Sequence, residues 1–352
     1  IGCPCASVIS VPASIASGLS SGARRGLLMK GGAVIEATAK VANVAFDKTG
    51  TLTAGRPVVT DIVPLNGTAE PDILAVAGGV EAGSSHPLAE AITAYAEEAG
   101  IAPLSSSGAR AIVGKGVEAT VDDALAWVAS PSFAVQSGAL DAAGTDAAAK
   151  MEDEGKTVVV VYREGRGLGL IAMRDEARSD AVEALRQLRL LGVDGVMLTG
   201  DNSRTASAIA ENLGIGFKAD LMPEDKVTAI REMARDGVMM IGDGINDAPA
   251  LAQASVGVAM GSGTDVALET ADAAILRNRV TDVAATIRLA RATMGNIRQN
   301  VTIALGLKVV FLVTTVLGIT GLWIAILADT GATVLVTLNA LRLLRFDPEH
   351  EG

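Results

Sequence analysis

Three aspartates each stand just past a short apolar run and at a glycine-bearing polar turn: Asp47 in DKTGTLT after VANVAF, Asp201 in TGDN after GVDGVML, and Asp243 in GDGINDAPAL after GVMMI. A carboxylate is a workable nucleophile toward phosphorus and yields an acyl phosphate. A second carboxylate nearby repels both the first and an incoming phosphate unless a cation intervenes, and hard oxygen ligands call for Mg²⁺. Thr49, Gly50, Thr199 and Gly200 offer hydroxyls and unhindered N–H groups to phosphoryl oxygens. Lys226, in MPEDK, could supply fixed positive charge to a transferring group. Each turn alone is ordinary loop chemistry.

The elements that must position these residues follow from the pattern around them. From about Gly26 to Ala292, β-rich runs alternate with helical stretches, which predicts a doubly wound parallel sheet with ligands at its strand ends. GKTVVVVYREGRGLGLIAM alternates around a polar turn and predicts an antiparallel hairpin; SDAVEALRQLRLLG reads as an amphipathic helix. A net charge of −11 argues against nucleic acid as a partner, and a mean hydropathy of +0.40 calls for membrane segments beside that acidic body.

Apolar runs over Val301–Leu317 and Ile324–Leu344 are each long enough to span a bilayer. Arg288, Arg291 and Arg298 precede them, Arg342 and Arg345 close them, and the connecting GITGLW is uncharged, so both outer ends are expected in the cytoplasm. Lys308 and Asp329 interrupt the runs; a mid-membrane charge costs roughly 2.5–3.5 kcal/mol, so the two either pair between helices or mark an ion pathway. The chain opens IGCPCASVIS, without Met, and reads as entered partway through an apolar helix whose exit is marked by Arg24, Arg25 and Lys30. Cys3 and Cys5, the only cysteines, flank Pro4. They make no disulfide framework, favour a reducing compartment, and taken alone leave a redox pair or a metal site open.

Together and in this order, DKTGTLT, TGDN and GDGINDAPAL resemble the phosphorylation-domain motifs of P-type ATPases, within the haloacid dehalogenase-like superfamily. The resemblance implies that Asp47, followed by Lys48 and Thr49, is phosphorylated by ATP. It implies that Asp243 and the Thr49 backbone hold Mg²⁺, that Asp201, Asn246 and Asp247 complete the site, and that a nucleotide-binding domain is inserted after the phosphorylated strand. EAGSSHPLAEAI and GKGVEA look like nucleotide-binding signatures of the heavy-metal branch, which would make Glu81, His86, Gly114 and Gly116 the adenine and phosphate contacts. Read alone, His86 before Pro87 is a capping and packing residue with Ser84 or Ser85 as cap. GKGVEA lacks the third glycine of G-x-G-x-x-G, since Ala119 stands there.

The cysteine-proline-cysteine segment is the mark of the same branch, making Cys3 and Cys5 transport ligands suited to soft or borderline cations. The Asn-Tyr and Met-x-x-Ser-Ser patterns of copper transporters are missing. Lys308 and ADTGA are instead similar to the zinc, cadmium and lead exporters, which adds Lys308 and Asp329 to the ion site, with Lys308 as a built-in counterion. The expected fold is α/β: a haloacid dehalogenase-like phosphorylation domain (26–53 and 170–292) with an inserted α+β nucleotide-binding domain (54–169), part of a Cys-Pro-Cys membrane helix (1–25), two further membrane helices (293–346) and a cytoplasmic tail (347–352) carrying His350.

The expected function is ATP-driven export of Zn²⁺, Cd²⁺ or Pb²⁺ by a monomeric, multi-pass plasma-membrane protein with cytoplasmic catalytic domains, its partners being membrane lipid, ATP and metal delivered by thiol carriers. The resemblance also implies an upstream actuator domain that these residues lack. The alternatives are a copper transporter, a haloacid dehalogenase-type phosphatase, and a non-catalytic metal-binding membrane protein. A phosphatase typically has Asp two residues after its nucleophile, where Thr49 stands.

Overall fold

Short runs rich in Val, Ile and Ala pair into two sheets, while the long apolar runs stay helical. The structure is a computed structural model that describes residues 5–318 and 321–349, with backbone only at 5–7, 245, 322, 325, 326 and 329. Cys3 and His350 lie outside the described residues, as do the side chains of Cys5 and Asp329.

The strands, in chain order, are β1 (Leu27–Met29), β2 (Asn43–Asp47), β3 (Val58–Pro64), β4 (Ser106–Ile112), β5 (Gly116–Val121), β6 (Ala124–Ala129), β7 (Thr157–Arg163), β8 (Arg166–Arg174), β9 (Asp194–Leu198), β10 (Gly216–Lys218), β11 (Val238–Gly242), β12 (Val256–Met260) and β13 (Ala273–Ile275). One sheet has seven strands in the order β1-β13-β12-β11-β2-β9-β10, the other six in the order β3-β8-β7-β6-β5-β4. In the first, β12 runs parallel to β11 and β13, β10 runs parallel to β9, and β1 adds an antiparallel edge. Every residue of β11 and β12 is buried, as expected of parallel strands covered on both faces. The three aspartate-bearing runs of the sequence thus become β2, β9 and β11.

By its contacts the chain divides into two compact units, one of Ile1–Ala45, Val182–Gly195 and Val227–Gly352, the other of Phe46–Ala181 and Val196–Lys226. The second unit holds the six-stranded antiparallel sheet, including the predicted β7–β8 hairpin. Because side chains alternate across a strand, Ile171 and Met173 of β8 join Ile73, Leu74 and Ile92 on one face, whereas Leu170 and Ala172 join Tyr162, Leu140 and Met151 on the other. Helices Glu70–Val80 and Pro87–Glu98 cover the first face, and Pro131–Gln136 and Ala142–Asp153 the second.

The first unit holds the long helices Cys5–Ala23, Thr281–Val316 and Leu322–Leu341. Thr281–Val316 is long and apolar enough to cross a membrane. Its first turns pack Val283, Ala284 and Ile287 into the core, while farther on Val309, Val313, Val316, Trp323, Leu327 and Leu338 stand exposed. So much contiguous exposed apolar surface is what a lipid-facing wall requires.

Gly18 and Gly22 let Cys5–Ala23 approach Thr281–Val316 closely: an added Cβ would stand 2.5 Å from Thr293 Oγ1 and 2.9 Å from Leu289 Cδ2 respectively. Beyond the last helix, Phe346–Glu349 is strapped back onto the unit. Ser21 Oγ donates to Phe346 O at 3.2 Å, Arg288 Nη1 donates to Pro348 O at 3.0 Å, Arg25 pairs with Asp347, and Arg277 and Arg279 both pair with Glu349.

Candidate active site

Asp47 is the last residue of β2 and is 6% exposed. Thr49 is still extended (φ −73°, ψ 130°), but the chain cannot continue as strand past it, because Gly50 is left-handed (φ 72°), a conformation that favours glycine. Arg178 holds the resulting turn from beneath: its Nε donates to Thr51 O at 2.9 Å, its Nη2 to Gly50 O at 2.7 Å, and its backbone N–H to Leu52 O at 2.9 Å. Thr53 Oγ1 lies 3.0 Å from Lys48 O and 2.5 Å from Asp175 Oδ2. Arg178 and Asp175 were not among the expected site residues; the only signal for them was that RDEAR is where the chain leaves β8 to rejoin the turn.

Lys226, near the start of helix Pro223–Met233, donates from Nζ to Asp47 Oδ1, and both residues are buried. Lys48 Nζ pairs with Asp201 Oδ2 at 2.5 Å. Burial alone would pull the Lys48 ammonium down, but Asp201, then Asp175 and Asp47, outweigh it and hold it above the usual lysine value. Thr199 is buried; its hydroxyl accepts from Asp201 N–H at 3.1 Å, and its backbone bonds to Lys218 and Leu221. Within the second unit, then, Asp47, Lys48, Thr199, Asp201 and Lys226 carry two lysine–aspartate pairs at the ends of β2 and β9, and the buried Asp47 carboxylate has a cation on it.

Asp243, Asn246 and Asp247 belong to the first unit and follow β11. A Cβ on Gly242 would stand 2.8 Å from Asp247 Cβ, so glycine lets the turn fold this tightly. Thr264 N–H donates to Asp243 O at 2.8 Å. Carboxylate oxygens of Asp243 and Asp247 lie within 4.8 Å of each other, Asp247 buried and Asp243 half-buried. Two such oxygens match the donor set that Mg²⁺ prefers. Asn246 is exposed.

In the six-stranded unit, Glu81 closes helix Glu70–Val80 and is 6% exposed, and its Oε2 has no hydrogen-bond partner among the described residues. Burial pushes its carboxyl up to about 7, against the opposing pull of Ser84. The folded chain therefore keeps a proton that the unfolded chain releases near 4.5, and this group's contribution to stability falls as pH rises through that window, by on the order of 3 kcal/mol in all. Glu81→Gln is expected to remove that slope, which thermal unfolding between pH 5 and 8 checks; an unchanged slope would place the proton elsewhere.

His86 is itself the cap of helix Pro87–Glu98, in place of the expected serines. Its Nδ1 accepts from Leu88 N–H at 3.2 Å, while Ser84 Oγ accepts from His86 N–H at 3.3 Å. The reason is reach: a residue at this position can turn its own acceptor onto the second helical N–H. Burial draws the imidazole below its usual value, with Asp201 opposing and Lys48 adding to the effect.

Gly114 (φ 69°) faces Met222 Sδ, 3.0 Å from an added Cβ. At Gly116 (φ 143°) an added Cβ would fall 2.2 Å from Val128 O and 2.5 Å from Ala129 Cα. The requirement for glycine there is thus met by β6, its partner in the sheet. Gly116→Ala is expected to cost about 3 kcal/mol or more, read as a lowered melting temperature. Ala119, in the place of the missing third glycine, is a core residue of β5 paired with Ala126. Of the expected transport residues, only Lys308 has a described side chain; it is half-buried on Thr281–Val316.

Residues 41–255 match the haloacid dehalogenase-like hydrolase family. A zinc/cadmium/lead-transporting P-type ATPase of Escherichia coli (strain K12) is 56% identical over 346 residues, covering 98% of this chain and 47% of that protein. The crystal structure of a zinc-transporting PIB-type ATPase in an E2.Pi state is 54% identical with a TM-score of 0.75, over 98% of this chain and 56% of the other. A CPx-ATPase catalytic domain, solved in a study of nucleotide binding, is 31% identical with a TM-score of 0.62, over 76% of this chain and 96% of that domain. The chain spans about half the length of the curated relatives it matches.

Proposed function

This chain belongs to the haloacid dehalogenase-like hydrolases, in their P-type ATPase branch, and we propose that it serves ATP-driven export of divalent soft metal ions, Zn²⁺, Cd²⁺ or Pb²⁺, through phosphorylation of Asp47. The observation that carries the reading is the buried Asp47 carboxylate at the end of β2 with the Lys226 ammonium on Oδ1.

An Asp47 oxygen attacks the γ-phosphorus of ATP, the bond to the bridging oxygen breaks, ADP leaves, and an acyl phosphate remains. Lys226 offsets the charge of the transferring group. Thr49 and Gly50 turn backbone toward it, with Arg178 keeping their turn closed. Thr199 and Gly200 supply further donors, and Lys48 keeps Asp201 in place. Asp47, Asp243 and the Thr49 backbone would hold Mg²⁺, which when bound would neutralise phosphoryl oxygens, and Asp201, Asn246 and Asp247 complete the site. Residues 54–169 act as the nucleotide domain, with Glu81, His86, Gly114 and Gly116 toward the adenine and phosphates.

The transport ligands are Cys3, Cys5 and Asp329, two thiolates and a carboxylate. Such a set suits a divalent borderline cation and leaves an open position for release. Lys308 takes the place of the cation once it has gone. The protein is placed in the plasma membrane as a multi-pass monomer, with lipid around its helices, thiol carriers delivering metal, and the phosphorylated unit in the cytoplasm.

The test is to incubate full-length protein with labelled ATP and score acid-stable label against added Zn²⁺, Cd²⁺, Pb²⁺ and Cu⁺. Label that needs one of the divalent ions is expected. Label that ignores metal, or appears with Cu⁺ alone, overturns the reading.

A further inference from the structure

The three long helices are joined by polar side chains where the sequence offers mostly apolar packing. Ser14 Oγ lies 2.8 Å from Asn296 Oδ1 and accepts from Asn300 Nδ2 at 3.1 Å; Asn300 Nδ2 also lies 3.1 Å from Asn296 Oδ1. Asn296 Nδ2 donates to Asn339 O at 2.8 Å, and Asn339 Nδ2 donates to Asn300 Oδ1 at 2.8 Å. Arg342 caps the set, 3.0 Å from Asn339 Oδ1. Ser14 and Asn300 are wholly buried and Asn296 nearly so.

An amide has a donor end and an acceptor end, and here both ends of Asn296 and Asn300 are engaged. Sliding any one helix by a single residue moves its side chain by about 1.5 Å and about 100°. That breaks several of these bonds at once in a medium where a lost partner is expensive. The network therefore fixes the relative heights of the three helices, as buried polar groups fix register elsewhere.

The neighbours of each helix give its direction. Along Thr281–Val316, Leu289, Thr293 and Asn296 meet Gly22, Gly18 and Ser14, in reversed order. Asn300 meets Asn339 while Ala304 packs with Val336. The middle helix is thus antiparallel to both others. Cys5 lies nine positions before Ser14, Lys308 eight after Asn300, and Asp329 ten before Asn339. All three lie on the same side of the network, at about 12–15 Å along the helices.

We propose that the Ser14–Asn296–Asn300–Asn339 network is the register pin of the transport site, with Asn300 as a positioning residue that sets the depth at which thiolate, ammonium and carboxylate meet. The proposal rests on the reading of Cys5, Lys308 and Asp329 as that site. It concerns the bonds between helices, some distance from any ligand.

The experiment is Co²⁺ titration of full-length protein in lipid nanodiscs, following the thiolate-to-Co²⁺ charge-transfer and ligand-field bands. Asn300→Ala is expected to weaken Co²⁺ binding about tenfold or more and to alter the ligand-field bands, with binding of a fluorescent ATP analogue unchanged. Ser14→Ala, which removes one hydroxyl, shifts both in the same direction by less, and decides the matter if Asn300→Ala does not fold. Wild-type affinity and an unaltered spectrum in the folded variants overturn the proposal. Cys3→Ala together with Cys5→Ala separates the two readings: if the double variant keeps the charge-transfer band, the transport-site assignment itself has failed, whatever the asparagine variants do.

Discussion

Asp47→Asn is expected to leave the full-length protein without label from γ-labelled ATP, a loss of roughly 10⁴-fold or more, because a carboxamide oxygen is no nucleophile for an acyl phosphate. The substitution is nearly isosteric at the end of a strand whose Val44, Ala45 and Phe46 are fully buried, so β2 should hold. Lys226 keeps an acceptor at Oδ1 but loses the anion there, and a hydrogen bond to a charged group is worth about 2 kcal/mol. Stability should fall by an amount of that order, and ATP-analogue binding should survive. Acid-quenched gels read the first outcome and calorimetry the second. Label persisting on Asp47→Asn would move the nucleophile elsewhere and end the phosphorylation reading.

The second large effect is expected at Lys48. Its ammonium and the Asp201 carboxylate are 7% and 19% exposed at the side chain and 2.5 Å apart. Removing one partner of so buried a pair costs about 3–5 kcal/mol, much of it the penalty on the ion left behind. Lys48→Met should therefore lose stability of that order, whereas Lys48→Met with Asp201→Asn should regain more than half of it, a coupling that a double-mutant cycle isolates.

The pH dependence has a definite sign. The folded lysine titrates above its unfolded value of 10.5, so its contribution is fully present below that value and is lost only as pH climbs through the raised one. The gap between wild type and Lys48→Met should accordingly stay constant from pH 6 to 9 in denaturant titrations. A gap that closes by pH 9 would mean the lysine is not held charged.

Much of the turn after Asp47 was legible because its signals are local. A short apolar run, an aspartate, and a glycine that permits a left-handed backbone all fall within a few residues of one another at β2, and the runs before TGDN and GDGIND end in the same way. Arg178 was not legible, since nothing in RDEAR says that its guanidinium will find carbonyls some 128 positions earlier; such a contact exists only after β8 has brought the chain back. His86 was half legible: Pro87 announced the helix start, but which side chain turns onto the free N–H depends on rotamers.

The interhelical asparagines were missed for another reason. Asn296 and Asn300 occur in GNIRQN beside an arginine and read as the polar approach to a membrane run, and Ser14 is one small residue in an apolar helix. Their meaning depends on a pairing across 282 and 286 positions, which no periodicity encodes.

The strap over Phe346–Glu349 can also be viewed as ring closure. Glu349 meets Arg277 across 72 positions, so the helices Thr281–Val316 and Leu322–Leu341 lie inside a loop fastened by ions instead of a covalent bond. Because the packed helices already bring the two ends together, the clasp does not have to meet the closure entropy of a free loop, and partly exposed pairs worth up to about 1 kcal/mol each bias it shut. Such a clasp answers to ionic strength: as added salt shortens the screening length below about 8 Å, its ion pairs weaken, and the bonds of Asn339 to Asn296 and Asn300 are left to hold the last helix.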